Sequence, residues 1–244
     1  MKLPTKFLLC AGILAVTSAP SWAVTATCGD NVAFSTYLTA GFTCAIGDKT
    51  FSNFSYTASG TNPIAASAIT VDTIGPTGTG ASFVAGTGNL TGLPATDIGL
   101  EFFAPWSVGI GQSSDSFIGF TVTINGGPQL IDDASLVQGG SGFTLGGIAQ
   151  VTENINGTIQ LITVDQNGQL VLGDTKSFSP TGTAVVTKDL SVNGNNGSAA
   201  ISQLVDVFSQ TTVPIPGALP LFATGLVGLW GLRRKRSKQS AVAT

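Results

Sequence analysis

Carboxylates are almost the whole of this chain's reactive inventory. With no histidine in 244 residues, neither a Ser-His-Asp nor a Cys-His arrangement can be assembled, and a histidine-ligated zinc site is equally out of reach. Paired acids could work on a glycosidic bond as acid and base, and Asp97, Glu101, Asp115, Asp132, Asp133 and Glu153 are the candidates. Nothing in their spacing singles out a pair, and the simpler reading is solvated loop and turn acids. The run Asp165-Gln-Asn167-Gly168 opens like a calcium loop, but the third ligand and the terminal Glu are missing, so a hairpin turn is expected. Asp132-Asp133 is the other place where calcium could be held, with help from a loop carbonyl. Trp106, with Phe102 and Phe103, has the makings of an aromatic platform for a sugar ring, against the plainer reading of core aromatics. The expectation is therefore no catalytic residue, no metal and no cofactor.

The cysteines depend on compartment. Lys2 and Lys6 precede an apolar run from Phe7 to Val16, followed by Pro20 and the small-x-small site Ser21-Trp22-Ala23. This is the layout of a secretory signal peptide over residues 1–23, with cleavage between Ala23 and Val24. Leu9 stands before Cys10 where a lipobox needs a small residue, which argues against lipidation. Cleavage discards Cys10, and Cys28 and Cys44 then enter an oxidising compartment, where they are expected to pair. Closing a loop of about 15 residues stabilises by on the order of 3 kcal/mol in the chain-entropy model and would pin the first strands.

The elements that must position these groups are strands. From 24 to 210 the chain is rich in Gly, Ser, Thr, Asn and Val and poor in Lys, Glu and Met, a composition that disfavours helix and suits short strands joined by turns. Asn-Gly occurs at Asn125, Asn156, Asn167, Asn193 and Asn196 and marks hairpins, because both residues tolerate positive φ. Ile118, Phe120, Val122 and Ile124 alternate with small or polar residues as a half-buried strand leading to the Asn125 turn. Residues 150–155, 158–165 and 169–173 read as a three-stranded meander whose apolar middle strand is central. Ile201, Leu204, Val205 and Phe208 fit a helical period, whereas Ile201, Gln203, Val205 and Val207 would be one face of a strand; composition favours the strand. The Gly/Thr-rich stretches 75–88 and 139–147 read as loops. Phe51, Phe54 and Tyr56 are spaced like core aromatics at a bulge. The fold class expected is mainly β, a single β-sandwich or jelly-roll-like exported domain.

The C-terminal stretch has its own logic. No charged side chain lies between Val207 and Leu232, and 213–232 has the roughly 20 residues a helix needs to cross a bilayer core. Arg233, Arg234, Lys235 and Arg236 follow as a basic stop that stays cytoplasmic, leaving 237–244 as a cytoplasmic tail. Pro214 and Pro216 hold Val213-Pro214-Ile215-Pro216 extended at the membrane surface. Gly225, Gly228 and Gly231 recur every third residue, a strip that allows close approach of another helix. Of ten basic residues, Lys49, Lys176 and Lys188 alone fall between signal and span. All thirteen acids lie there too, leaving the exported part about ten charges negative, which excludes nucleic acid as a partner.

This tail, 213–236, resembles the PEP-CTERM sorting signal of Gram-negative bacteria, in its variant with Ile215 in place of the usual Glu between the prolines. The resemblance implies recognition by an exosortase, an integral membrane cysteine protease, with cleavage near the motif; a plain single-pass anchor is the alternative. Residues 44–56 also look like a segment found early in many exported PEP-CTERM proteins, which implies a shared β domain and no defined activity. The expected function is that of a non-enzymatic exported protein, first an inner-membrane single-pass intermediate and then sorted to the cell surface or matrix in a structural or adhesive role. The alternative is an extracellular exopolysaccharide-binding domain.

Overall fold

In a computed structural model, residues 26–75 and 97–212 are described. Two β-sheets pack face to face, as composition and turn spacing predict. The first runs in the order β1 (Ala26–Thr27), β3 (Thr43–Ile46), β4 (Lys49–Gly60), β7 (Ser113–Ile124), β14 (Thr183–Asn193), β10 (Ile148–Ile155), β11 (Ile159–Gln166), β12 (Gln169–Val171). The second runs β13 (Gly173–Thr181), β8 (Gln129–Gly139), β15 (Ser198–Thr212), β6 (Ile98–Val108), β5 (Thr70–Ile74), β2 (Val32–Ala33), with β9 (Gly142–Thr144) paired to β15. The chain passes back and forth between the sheets as in a jelly roll. Among the described residues helix is confined to one turn, Phe34–Tyr37, and a 3₁₀ turn at Ala66–Ala68.

Period-two alternation builds the core. In β14, Ala184, Val186, Leu190 and Val192 are buried while Thr183, Val185 and Asp189 are exposed, so one face meets the opposite sheet and the other meets water. Burying this many Val, Ile, Leu and Phe side chains is the main stabilising term. At one end Phe34 stacks edge-on against Phe54, Tyr56 and Phe102. Phe51 and Phe54 both point inward because β4 shifts register between Ser52 and Ser55, with Asn53 at φ 55°, the bulge that their spacing predicts. Cys28 and Cys44 are joined, with S–S 2.07 Å, beside the parallel pairing of β1 with β3.

Several expectations change in detail. The meander exists as β10, β11 and β12, yet β11 is next to the edge of its sheet and Ile162 is 39% exposed; β7 and β14 hold the centre because they pair along their whole lengths. Asn156 and Asn167 form the hairpins expected of them. Asn125, Asn193 and Asn196 instead stand where the chain leaves one sheet for the other. Positive φ there turns the chain out of the plane, and Gly194 is required because a Cβ would lie 1.9 Å from the Gly109 carbonyl. Within the 139–147 stretch read as loop, Gly142–Thr144 pairs with Ser198–Ala200.

Strand β15 settles the ambiguous segment. It is a strand, but its register shifts between Ile201 and Gln203. Ile201, Leu204 and Phe208 therefore join the main core, whereas Val205 and Val207 lie on the other face with Ile74 and Val137. The helix-like spacing of three from Ile201 to Leu204 is the bulge seen in sequence.

The signal peptide with its Ala23–Val24 site, the sorting motif, the glycine strip, the basic stop and the cytoplasmic tail lie outside the described residues, as does most of 75–88. Among the described residues no helix is long and apolar enough to cross a membrane.

Candidate functional site

The outer face of the first sheet carries two adjacent rows of outward-facing side chains. Register places Thr57, Phe117, Asp189 and Thr152 in one row across β4, β7, β14 and β10, with Ser59, Asp115, Ser191 and Gln150 in the next. Phe117, 43% exposed, is the one aromatic exposed among the described residues. The strands hold these side chains outward because their neighbours Ser116, Ile118, Leu190 and Val192 fill the core. Partial burial, with the Asp115 charge beside it, raises the Asp189 carboxyl above the usual carboxylate range. The result is an apolar ring flanked by acceptors and hydroxyls on four hydrogen-bonded strands.

Trp106 and Phe102 do not contribute to such a surface. Both are fully buried, and the indole N–H donates to Ser116 Oγ at 3.0 Å, an oxygen also 2.9 Å from Tyr56 Oη. They point inward in β6 by the same parity that sends Glu101 and half-buried Phe103 outward.

Nor do the six candidate acids converge on a cleft. Asp97 accepts from Ser209 Oγ at 2.7 Å. Glu101 accepts from Gln203 Nε2, and burial, against the pull of that hydrogen bond, lifts its carboxyl to about 7. Asp115 sits on the face just described. Asp132 and Asp133 are half-buried within β8, on the other sheet. Glu153 is inside the core. Asp165 precedes the expected hairpin turn and accepts from Ser141 Oγ at 2.8 Å. Among the described residues no group of three His, Cys, Asp or Glu stands close enough to hold a metal ion. A cleft of about 430 Å³ between Ser107, Phe143 and Ser198 is lined by small residues together with Val108 and Phe143 and has no acid at its wall.

Charge hidden in the core is what sequence reasoning missed. Lys188 of β14 is fully buried and bonded both to Glu153 Oε2, directly across on β10, and to Asp206 Oδ2, reaching over from β15 in the other sheet. Its Nζ lies 5.0 Å from the Phe120 ring centroid. Burial, then the Glu153 charge, holds the Asp206 carboxyl well above the usual range, against the opposing pull of Lys188. Burial depresses the Lys188 ammonium, but the two acids outweigh it and leave it raised. Glu153 Oε1 and Asp206 Oδ1 have no hydrogen-bond partner. Lys49 is a second fully buried lysine, donating to Gln210 Oε1 at 2.9 Å and to Asp48 at 3.4 Å. The available signal was strand parity: Lys188, Glu153 and Asp206 each occupy an inward position between apolar neighbours two residues away.

No protein-family model matches the chain, and no curated protein does. Among solved structures, TmCBM61 in complex with β-1,4-galactotriose superposes with TM-score 0.26 at 12% identity, covering 65% of this chain and 88% of that one. The enzymatically active domain of bacteriophage CBA120 tailspike protein 4 gives TM-score 0.27 at 13% identity, covering 64% of this chain and 19% of that one. Both superpositions are too loose to bear on what this chain binds or does.

Proposed function

We propose that the chain is a non-enzymatic exported protein, delivered across the inner membrane by residues 1–23 and presented by 213–236 to an exosortase-type membrane protease. The sandwich then serves at the cell surface or in the matrix as a structural or adhesive body. One observation carries the non-enzymatic reading: the acids offered for catalysis are divided between the two sheets and the core, and Asp97, Glu101 and Glu153 are taken up in internal bonds. Glycoside hydrolysis needs two carboxyls about 5–10 Å apart across a cleft. Mass spectrometry of the protein recovered from cells and from medium tests the sorting. Chains beginning at Val24 and ending near Pro216 are expected, and a product still ending at Thr244 would rule processing out.

A second reading is favoured by the face around Phe117: binding of an exopolysaccharide, with a sugar ring on the aromatic and hydroxyls directed to Asp115, Asp189, Thr57 and Ser191. Phe117→Ala is expected to weaken retardation in polysaccharide-containing gels by about tenfold, roughly one aromatic contact, while leaving stability within about 0.5 kcal/mol. Equal retardation of both proteins would remove this reading.

A further inference from the structure

The buried Lys188, Glu153 and Asp206 form an arrangement that electrostatics alone explains poorly. Two carboxyls share one ammonium in a sealed core, and Glu153 Oε1 and Asp206 Oδ1 receive no hydrogen bond from any group outside the cluster. Buried polar groups are ordinarily satisfied, and a half-satisfied network is costly at low dielectric. The same arrangement is well suited to a reaction. An amine and a carboxyl are held in contact, without water, by strands that cannot separate them, which is the condition under which condensation of the two becomes fast.

We infer that Lys188 and Asp206 condense into an amide, an intramolecular cross-link between β14 and β15 that ties one sheet to the other, with Glu153 as the catalytic proton carrier. The Lys188 ammonium passes a proton to the Glu153 carboxylate. The neutral amine attacks Cγ of the Asp206 carboxylic acid, and a C–N bond forms. The second amine proton leaves with the Asp206 hydroxyl as the C–O bond breaks, Glu153 relaying it. The products are one amide, one neutral Glu153 carboxyl and one water. Nothing is oxidised or reduced and no co-reactant is consumed, and no charge remains in the core.

Asp206 is the acceptor, and Glu153 the carrier, for two reasons. The electrophile must be a neutral acid, and Asp206 is the carboxyl that burial and its neighbour push toward that form. Both carboxyls touch the amine, but Glu153 faces Lys188 from the neighbouring strand of the same sheet, so only the bond to Asp206 would cross between sheets. The apolar wall supplied by Phe120 favours the uncharged products. Strand β15 runs directly into the 213–244 tail, so the bond would lock the strand that bears the tail to the opposite sheet. That consequence rests on the proposed anchoring, but the bond itself does not.

Intact-mass measurement of the full chain recovered from expressing cells, reduced, denatured and with its termini determined, decides the matter. The wild-type protein, shown to be folded by a cooperative urea transition, is expected to be lighter than its sequence by one water. Trypsin is expected not to cleave after Lys188, leaving 177–188 joined to 189–233, with fragmentation placing the link on Asp206. Asp206→Ala and Lys188→Arg should regain the full mass. Glu153→Gln should keep the fold but regain the mass. A folded wild-type protein of full mass, cleaved normally after Lys188, would overturn the cross-link. A link mapped to Glu153 would overturn the choice of acceptor, and water loss persisting in Glu153→Gln would overturn the carrier.

Discussion

Glu101 shows how one residue's surroundings set a pH response. Its folded carboxyl holds a proton up to about pH 7, whereas the unfolded chain releases it near 4.5. The contribution of the protonated form is therefore complete below about pH 4.5 and is lost as pH rises toward 7. Glu101→Gln imitates the neutral acid and can still meet Gln203. It is expected to match the wild type near pH 4 and to exceed it by on the order of 2 kcal/mol near pH 8, read from urea unfolding at the two values. Equal stabilities at both would show that Glu101 ionises freely. Trp106 makes the opposite point about aromatic residues. Trp106→Ala is expected to cost about 3–5 kcal/mol through the cavity and the lost bond to Ser116, with polysaccharide binding by the protein that remains folded unchanged.

At the scale of elements, close approach of strands leaves little tolerance. A Cβ at Gly99 would lie 1.8 Å from the Asp206 carbonyl oxygen, so Gly99→Ala must push β6 from β15 at the centre of their sheet. A loss of about 2–3 kcal/mol is expected from thermal or urea unfolding, and an unaffected protein would mean that the strands can part at that point. The first strands are tethered differently. β1 is two residues long and its ladder to β3 is correspondingly short, so the Cys28–Cys44 bond, spanning 16 residues, holds it in place. Cys28→Ser with Cys44→Ser is expected to cost about 3 kcal/mol, or roughly 6–12 °C in Tm for a domain of this size.

The molecule as a whole is a sandwich with polar ties through an apolar interior. Lys49 with Gln210, Gln138 with Thr163 at 2.9 Å, and Trp106 with Ser116 each join one sheet to the other, as does Lys188 with Asp206. Apolar contacts between two sheets are non-directional and permit sliding, whereas each tie has a single register in which it is satisfied. This is a body whose two sheets are held in one register, a property that the proposed structural or adhesive role would use.

Strand content, the pairing of Cys28 with Cys44, the bulge at Phe51 and Phe54, and the meander from Gln150 were all determined by the sequence itself. Strand content, the bulge and the meander depend on backbone preferences or on partners a few residues away, and the cysteine pairing spans 16 residues in a chain with three cysteines. The tertiary structure alone decided that Trp106 faces inward and Phe117 outward, that Asn125 and Asn193 change sheets, and that Ile201 and Val205 lie on opposite faces. Alternation along a strand has a period but no sign until a second sheet covers one side, and a single bulge reverses that sign for every residue beyond it. For the same reason Lys188, Glu153 and Asp206, which lie on three separate strands, became one buried cluster only when the sheets closed over them.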